Sequence, residues 1–337
     1  MDYKENEYNE NDEIVIDFQS PIEEIEEALT YLSFTEIENP HELSPDDVIE
    51  SRPIDILFDH VIHGHLQPVQ DYIENGGDIE VNLHQYGGTM LHVAVWYGHR
   101  HIVEYLLSKE INVDSREDCN RTPLHTSIYA KVFDILIVQM LLDKGAYINA
   151  TDKQGDNVLH ICLQKRNFDM IPFFIERGAN VNHQNVYGTT PFLKAINYQI
   201  RDVANDLIDK VNVHISSIHG CNAFYLAVTH HFDIEFLEKL FQLEINIEQP
   251  TSSGLTALHF ACMYNREDVV EWMISKNVNV NVLDGDNRSP LYLAFESGNK
   301  EIVDMLISAG ADTNVENFTT EFPPKDKIYI GRSNQPI

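Results

Sequence analysis

Basic residues are scarce in this chain. Lysine and arginine number 23 against 54 aspartates and glutamates, a formal charge of −31 at pH 7. Such a surplus opposes close approach to a phosphate backbone or an anionic membrane surface, so the expectation is no nucleic acid and no membrane among the partners. Long apolar runs are missing as well. No stretch approaches the roughly 18 to 20 continuous apolar residues that cross a bilayer. The N-terminus, Met1-Asp2-Tyr3-Lys4-Glu5, has neither the basic nor the apolar region of an export signal. The four cysteines, Cys119, Cys162, Cys221 and Cys262, stand 43, 59 and 41 residues apart, so none forms a C-x-x-C pair or a short chelating loop. They read as reduced, small core residues and favour a cytoplasmic setting, the host cytosol if the protein is an injected effector. No phosphate-cradling G-x-x-x-x-G-K-[ST], no G-x-S-x-G, no H-E-x-x-H and no kinase sequence set occurs. The expectation is therefore not an enzyme, with no cofactor, no catalytic residues and no metal.

The charge is unevenly spread. Residues 1–52 hold 17 acidic and 2 basic residues, net −15, which leaves −16 for the remaining 285. The acidic end is thus a compositional segment of its own.

What the sequence does contain is a phrase that returns. Its copies are Thr89-Met90-Leu91-His92-Val93-Ala94, Thr122-Pro123-Leu124-His125, Asn157-Val158-Leu159-His160, Thr190-Pro191-Phe192-Leu193-Lys194-Ala195, Asn222-Ala223-Phe224-Tyr225-Leu226-Ala227, Thr256-Ala257-Leu258-His259-Phe260-Ala261 and Ser289-Pro290-Leu291-Tyr292-Leu293-Ala294. From Leu91 to Leu291 the marker leucine or phenylalanine steps by 33, 35, 33, 32, 34 and 33 residues. A second phrase follows most markers: Gly145-Ala146-Tyr147-Ile148-Asn149, Gly178-Ala179-Asn180-Val181-Asn182 and Gly310-Ala311-Asp312-Thr313-Asn314. A degenerate first copy precedes them, because Leu57 stands seven residues before Gly64 just as Leu91 stands seven before Gly98.

A period near 33 carrying T-P-L-H-x-A resembles the ankyrin-repeat family over about eight repeats, residues ~54–314, each a β-turn and two antiparallel helices. The residues explain the unit physically. The threonine caps the first helix, the proline occupies its first turn, and the alanine admits a close neighbour. The second helix carries apolar residues at helical spacing and ends at a glycine suited to a left-handed cap. No single unit can bury both its faces, so units must stack. The fold expected is an all-α solenoid with short β-turn hairpins. Residues 1–52 form an acidic N-terminal segment with a capping helix, 53–314 the repeats, and 315–337 a C-terminal cap and tail.

Departures from the pattern locate expected irregularities. The step of 35 puts two extra residues between Tyr129 and Leu136, lengthening the link between two helices. Glu110, Val211, Glu244 and Asn277 stand where the capping glycine belongs, and β-branched Val211 suits a left-handed cap worst. The repeat from Gly188 to His219 is the expected weakest joint.

In the family, ligands are usually held on the concave face made by turn tips and first helices. Carried over by position, this implies a partner-binding set of Tyr86, Trp96, Tyr97, Tyr129, Lys165, Tyr187, Tyr198, His230, Met263 and Tyr264. Aromatic residues at a phase that does not reach the core suit an interface. The partner expected is another protein, steered by the acidic surroundings through a basic segment, and the protein itself is expected to be a monomer. The repeated His92, His125, His160 and His259 read as turn-bracing residues, and His60, His63 and His65 have no companion Cys or carboxylate at a metal-site spacing.

The acidic segment admits two readings. Ser20-Pro21-Ile22-Glu23 opens a helix that can cap the solenoid. Alternatively, Pro21, Glu23, Ile25, Ala28, Leu29, Leu32, Glu36 and Ile37 are similar to the first half of an F-box, which implies an adaptor linking a ubiquitin-ligase component to a substrate held by the repeats. The second half of that motif, with its Cys and Trp, is missing. Asp12-Glu13-Ile14-Val15-Ile16-Asp17 is similar to a SUMO-binding strand.

Overall fold

The computed structural model describes residues 53–83 and 87–313, so the expectations placed on residues 1–52 and 315–337, and on Tyr86, lie outside the described residues. Eight helix pairs follow one another. They are α1 (Pro53–Ile62) with α2 (Leu66–Glu74), α3 (Met90–Trp96) with α4 (Arg100–Leu107), and α5 (Pro123–Tyr129) with α6 (Ile135–Asp143). Next come α7 (Val158–Gln164) with α8 (Met170–Glu176), and α9 (Pro191–Asn197) with α10 (Arg201–Leu207). The last three are α11 (Ala223–Thr229) with α12 (Ile234–Gln242), α13 (Ala257–Met263) with α14 (Glu267–Ser275), and α15 (Pro290–Glu296) with α16 (Lys300–Ser308). Each first helix packs on its own second helix and on the first helix of the next pair. One continuous apolar core therefore runs from Leu57 to Ala311. This is the expected all-α solenoid, and the degenerate first copy is a true helix pair.

The recurring phrases act mainly between repeats. The N-cap threonines Thr89, Thr122 and Thr256 donate their backbone N–H to Nδ1 of His92, His125 and His259. The Nε2 of each ring reaches a carbonyl of the following repeat, Arg121, Ala150 and Arg288 in turn, at 3.1 Å. His160 does the same to the Thr189 carbonyl at 3.0 Å. Burial holds His92, His125 and His160 at about 4, so they are neutral at physiological pH. The asparagine that closes the second phrase has a similar use: Asn149 and Asn281 accept from the backbone N–H of Asn180 and Asp312 in the next repeat, at 2.7 and 2.8 Å.

The turns form a third ladder. Before repeat 2 the turn is a two-stranded hairpin, β1 (Asn82–Leu83) antiparallel to β2 (Gly88–Thr89), with Asn82 opposite Thr89. Later turns close through one backbone bond, such as Asp152 N–H to Asp156 O and Asn185 N–H to Thr189 O. Successive tips are then tied by Lys153 N–H to Cys119 O, Val186 to Gln154, Ile218 to Tyr187, Ser252 to His219 and Gly285 to Ser253. Gly188 shows why most tips carry a glycine, with Asn120 and Asn287 in its place in repeats 3 and 8: its φ is +70°, and a Cβ there would lie 2.8 Å from the Ile218 nitrogen of the next repeat.

The irregularities fall at the expected places but resolve in different ways. Glu244 and Asn277 adopt the left-handed cap, with φ of 59° each. Val211 avoids it, with φ −117° and ψ 161°, because α10 is prolonged by a 3-10 turn (Ile208–Lys210) that ends the helix without a left-handed residue. Glu110 is not in the left-handed region either. At the lengthened link of repeat 3, Ala130 is extended, with φ −50° and ψ 140°. The segment turns back on repeat 2, where Asp134 pairs with Arg100 at 2.6 Å and Lys131 lies 5.7 Å from the Tyr97 ring centroid.

Candidate functional site

The first helices are short, most of seven residues, and in every repeat but the third they end two residues before a left-handed residue, at Gly64, Gly98, Arg166, Gln199, His231, Asn265 and Gly298. The last residue of the helix and the one after it therefore share one face with the turn tips. Side chains at this phase touch from repeat to repeat. The Tyr129 hydroxyl donates to Gln164 Oε1 at 3.0 Å, His230 Nε2 lies 2.9 Å from Asn197 Oδ1, and Ser297 Oγ lies 3.2 Å from Asn265 Oδ1. The result is a continuous strip across the inner helices, bordered by the tips.

Nine of the ten expected site residues fall on this strip or its border; Tyr86 lies outside the described residues. Their environments differ from expectation in one respect. Tyr97, Tyr129, Tyr198 and Met263 pack partly against the core rather than standing clear of it. The reason is geometric: a side chain at the end of so short a helix overhangs the junction with the next repeat and rests there. Tyr129 is the clearest case, with Arg121 Cζ 4.9 Å and Lys165 Nζ 4.7 Å from its ring centroid. Burial, then the nearby Asp152 carboxylate, pushes its hydroxyl far above the ordinary tyrosine range. Tyr198 lies 5.6 Å from Lys194 Nζ. Tyr264 stacks on Phe260 at 4.1 Å, and Phe260 meets Tyr225 edge-on at 6.0 Å.

Several strip residues escape the sequence argument. Tyr225 occupies the histidine place of the phrase and Phe260 follows His259, positions that the phrase assigns to the turn and the packing. At the tips, Tyr187 has apolar companions, with Val186 57%, Tyr187 42% and Ile218 62% exposed. Each sits one or two residues before the glycine of its turn.

Charge is the second difference. Exposed acids crowd the second helices, as with Glu104, Asp202, Asp206, Glu235, Glu271 and Glu301. On the strip and tips of repeats 3 and 4 the exposed cations Arg116, Lys131, Lys153, Lys165 and Arg166 instead outnumber the exposed acid Asp118, which is turned against Gly87 of repeat 2. Beneath them lie buried ion pairs: Arg121 with Glu117 at 2.8 Å and Lys194 with Asp156 at 2.7 Å. Burial together with the charge of Asp156 pushes Asp152 up to about 6. Acids return to the strip only at repeat 8, with Asp286 and Glu296. An acidic groove is thus the wrong description of repeats 3 and 4, because overall composition is dominated by the outer helices.

The histidines of the first two repeats form a local cluster, in which His60 Nδ1 and His65 Nδ1 lie 3.2 Å apart and His63 Nδ1 accompanies Asp59 at 3.3 Å. Among the described residues no group of three or more His, Cys, Asp or Glu is placed to hold a metal ion. Nor is any helix among them long and apolar enough to cross a membrane.

The family model "Ankyrin repeats (3 copies)" matches residues 57–152, 130–219 and 224–317, which is most of the chain. The chain belongs to the ankyrin-repeat family. Among curated proteins it is similar to the nuclear factor NF-kappa-B p105 subunit of Gallus gallus, 25% identical over 298 residues, covering 83% of this chain and 26% of that protein. It is also similar to the ankyrin repeat protein OPG189 of Variola virus, 24% identical over 232 residues, covering 66% of this chain and 40% of that one. A third is Rabankyrin-5 of Mus musculus, 31% identical over 167 residues, covering 48% and 14% respectively. The chain therefore spans well under half the length of these relatives. Among solved structures, the ankyrin repeat domain of Bcl-3, a member of the IkappaB protein family, matches with a TM-score of 0.55 and 22% identity over 66% of this chain and 99% of that one, which supports the fold. Ankyrin repeats are protein–protein interaction modules.

Proposed function

We propose that the protein binds a partner protein along the strip formed by its first helices and turn tips, and that binding rather than catalysis is its activity. The observation that carries this reading is the continuity of the strip. Ring-bearing side chains at Trp96, Tyr97, Tyr129, Tyr198, Tyr225, Phe260, Tyr264 and Tyr292 remain partly exposed in repeats 2, 3 and 5 to 8, with Gln164 and Lys165 bridging the strip at repeat 4. Half-buried aromatics already fixed by their neighbours lose little conformational freedom on binding, which suits them to anchor a ligand. The expected basic segment of a partner finds complementary charge at Asp286 and Glu296 in repeat 8, and an inhibitor that covers a basic surface would use that end. Four free thiols suit the cytoplasmic location inferred from composition.

Affinity capture with the full chain tests this reading. A partner held through the strip is lost on Tyr187→Ala/Tyr264→Ala and kept on Glu235→Ala/Glu271→Ala, which alters the outer helices. The opposite pattern overturns the proposal. The adaptor reading, in which the F-box-like segment recruits a ubiquitin-ligase component, rests on residues 1–52. Removing them costs an adaptor one of two partners and costs a simple binder none.

A further inference from the structure

Resting on the groove reading above, we propose that the segment gripped by repeats 3 to 7 carries an acidic residue, which lodges among Lys131, Lys153 and Lys165, followed by apolar or aromatic side chains that lie over repeats 5 to 7. The partner is thus acidic and apolar in alternation along its length, and it is basic, if at all, only where it reaches repeat 8.

The placement of the lysines carries this. Lys153 is exposed at the tip of repeat 4, Lys165 is exposed just past α7 in the same repeat, and Lys131 is exposed on the lengthened link of repeat 3. They come from three different structural positions of two adjacent repeats, which also expose Arg116 and Arg166 against the single tip acid Asp118, so this stretch is locally basic in a chain of 54 acidic and 23 basic residues. Lys165 is oriented by the Tyr129 ring, which is itself fixed by the Gln164 side chain, so this ammonium is positioned before any ligand arrives. The lysine stems and the ring beneath them keep the surroundings only partly wet, which strengthens an ion pair relative to open solvent.

The next repeats change character. Repeats 5 to 7 present Tyr198, Tyr187, Val186, Ile218, Tyr225, Phe260 and Tyr264, and among the described residues their tips and the residues just past their first helices carry no exposed acid or lysine, exposed Asp233 standing on the link of repeat 6. Inner helices packed 8–10 Å apart put the centre of the lysine group about four repeats, roughly 35–45 Å, from the acids of repeat 8. An extended segment of about ten to fourteen residues covers that distance. The binding face is thus polar along its length, basic at one end, aromatic in the middle and acidic at the other. It fixes both the composition of a ligand and the end at which its carboxylate sits.

A library of random 16-residue peptides displayed on phage, selected against the immobilised full-length protein, tests the inference without knowledge of the natural partner. Enriched peptides are expected to carry Asp or Glu beside apolar or aromatic residues. Selection against Lys153→Glu/Lys165→Glu is expected to replace that acidic preference by a basic one. An enriched peptide, synthesised and followed by fluorescence polarisation, is expected to bind roughly tenfold more weakly to the neutral Lys153→Gln/Lys165→Gln protein and to weaken as salt is raised. Lys153→Glu alone, at an exposed tip, keeps the test sound if the double variant is poorly folded. Peptides that require Tyr187 and Tyr264 but show no acidic preference overturn this inference and leave the groove reading intact. Peptides indifferent to those tyrosines, or no enrichment at all, overturn both.

Discussion

The Nε2 of His125 donates to the backbone carbonyl of Ala150 at 3.1 Å, while its Nδ1 accepts from the Thr122 backbone N–H at 3.1 Å, so one buried ring joins the start of α5 to the turn of repeat 4. Replacing it by alanine leaves a buried carbonyl and a helix-cap N–H without partners and opens a cavity at the joint. His125→Ala is expected to cost about 2–4 kcal/mol in guanidinium denaturation. A loss below about 0.5 kcal/mol would mean that the turn stands without the ring.

The same burial makes stability depend on pH. His92, His125 and His160 titrate at about 4 in the folded protein against 6.5 when unfolded. Between those values the unfolded chain binds more protons, so stability falls as pH drops from 6.5 towards 4. Asp152 opposes this: raised to about 6 from 3.8, it favours the folded state as pH falls through that range. Three rings against one carboxyl leave a net loss on the order of 4 kcal/mol between pH 7 and pH 5. Denaturation midpoints measured at pH 7, 6 and 5 check the sign, and a flat profile would show that the rings are hydrated. The steepness is expected to lessen in His125→Gln, which removes one of the three titrations.

Lys194 and Asp156 form a buried pair at 2.7 Å between repeats 5 and 4, and Asn185 Nδ2 donates to the other carboxylate oxygen at 2.8 Å. Burial is the largest influence and would raise the Asp156 pKa, but the Lys194 charge and the hydrogen bonds from Lys194 and Asn185 act together to hold the carboxyl below its ordinary range. Lys194→Met strands that carboxylate and is expected to cost about 3–5 kcal/mol. Asp156→Asn/Lys194→Met should recover more than half of the loss, since the asparagine keeps a partner for Asn185 and carries no charge. A double variant as unstable as the single one would place the cost in packing around the lysine stem.

Much of this architecture was legible in the sequence because repetition multiplies weak local signals. Leu91 or Phe224 alone predicts little, but seven markers at one period fix the helix pairs, the caps and the core. The divergences arise where a side chain answers to a neighbouring repeat. Tyr129 has the phase of an exposed residue, yet it rests on Gln164 and Lys165 of the next unit, which only the stacking distance reveals. Val211 shows that a missing cap glycine can be met by tightening the helix into a 3-10 turn instead of straining one residue. Of the lysines of repeats 3 and 4, Lys165 was placed by its repeat phase, whereas Lys153 on a tip and Lys131 on a lengthened link were concealed by the net charge.

The weakest joint is expected in repeat 5. The second helices α4 and α6, α12 and α14, and α14 and α16 pack on each other, whereas α8 and α10 each make slight contact at most with the second helices on either side, so what sets repeat 5 apart from repeat 4 is its cap and its histidine place. Its position of the repeated histidine is held by Leu193, which cannot reach across to the next turn, and its second helix ends in the 3-10 turn without a left-handed cap. With fewer ties to either neighbour, this unit should open at lower free energy than those flanking it. Amide hydrogen exchange under native conditions is expected to be faster in α10 than in the equally short α8, and Leu193→His should slow it if the ring can reach the Cys221 turn. Protection in α10 equal to that in α14 would show that the inner helices alone set the cohesion of the stack, and that the outer row adds nothing measurable at this joint.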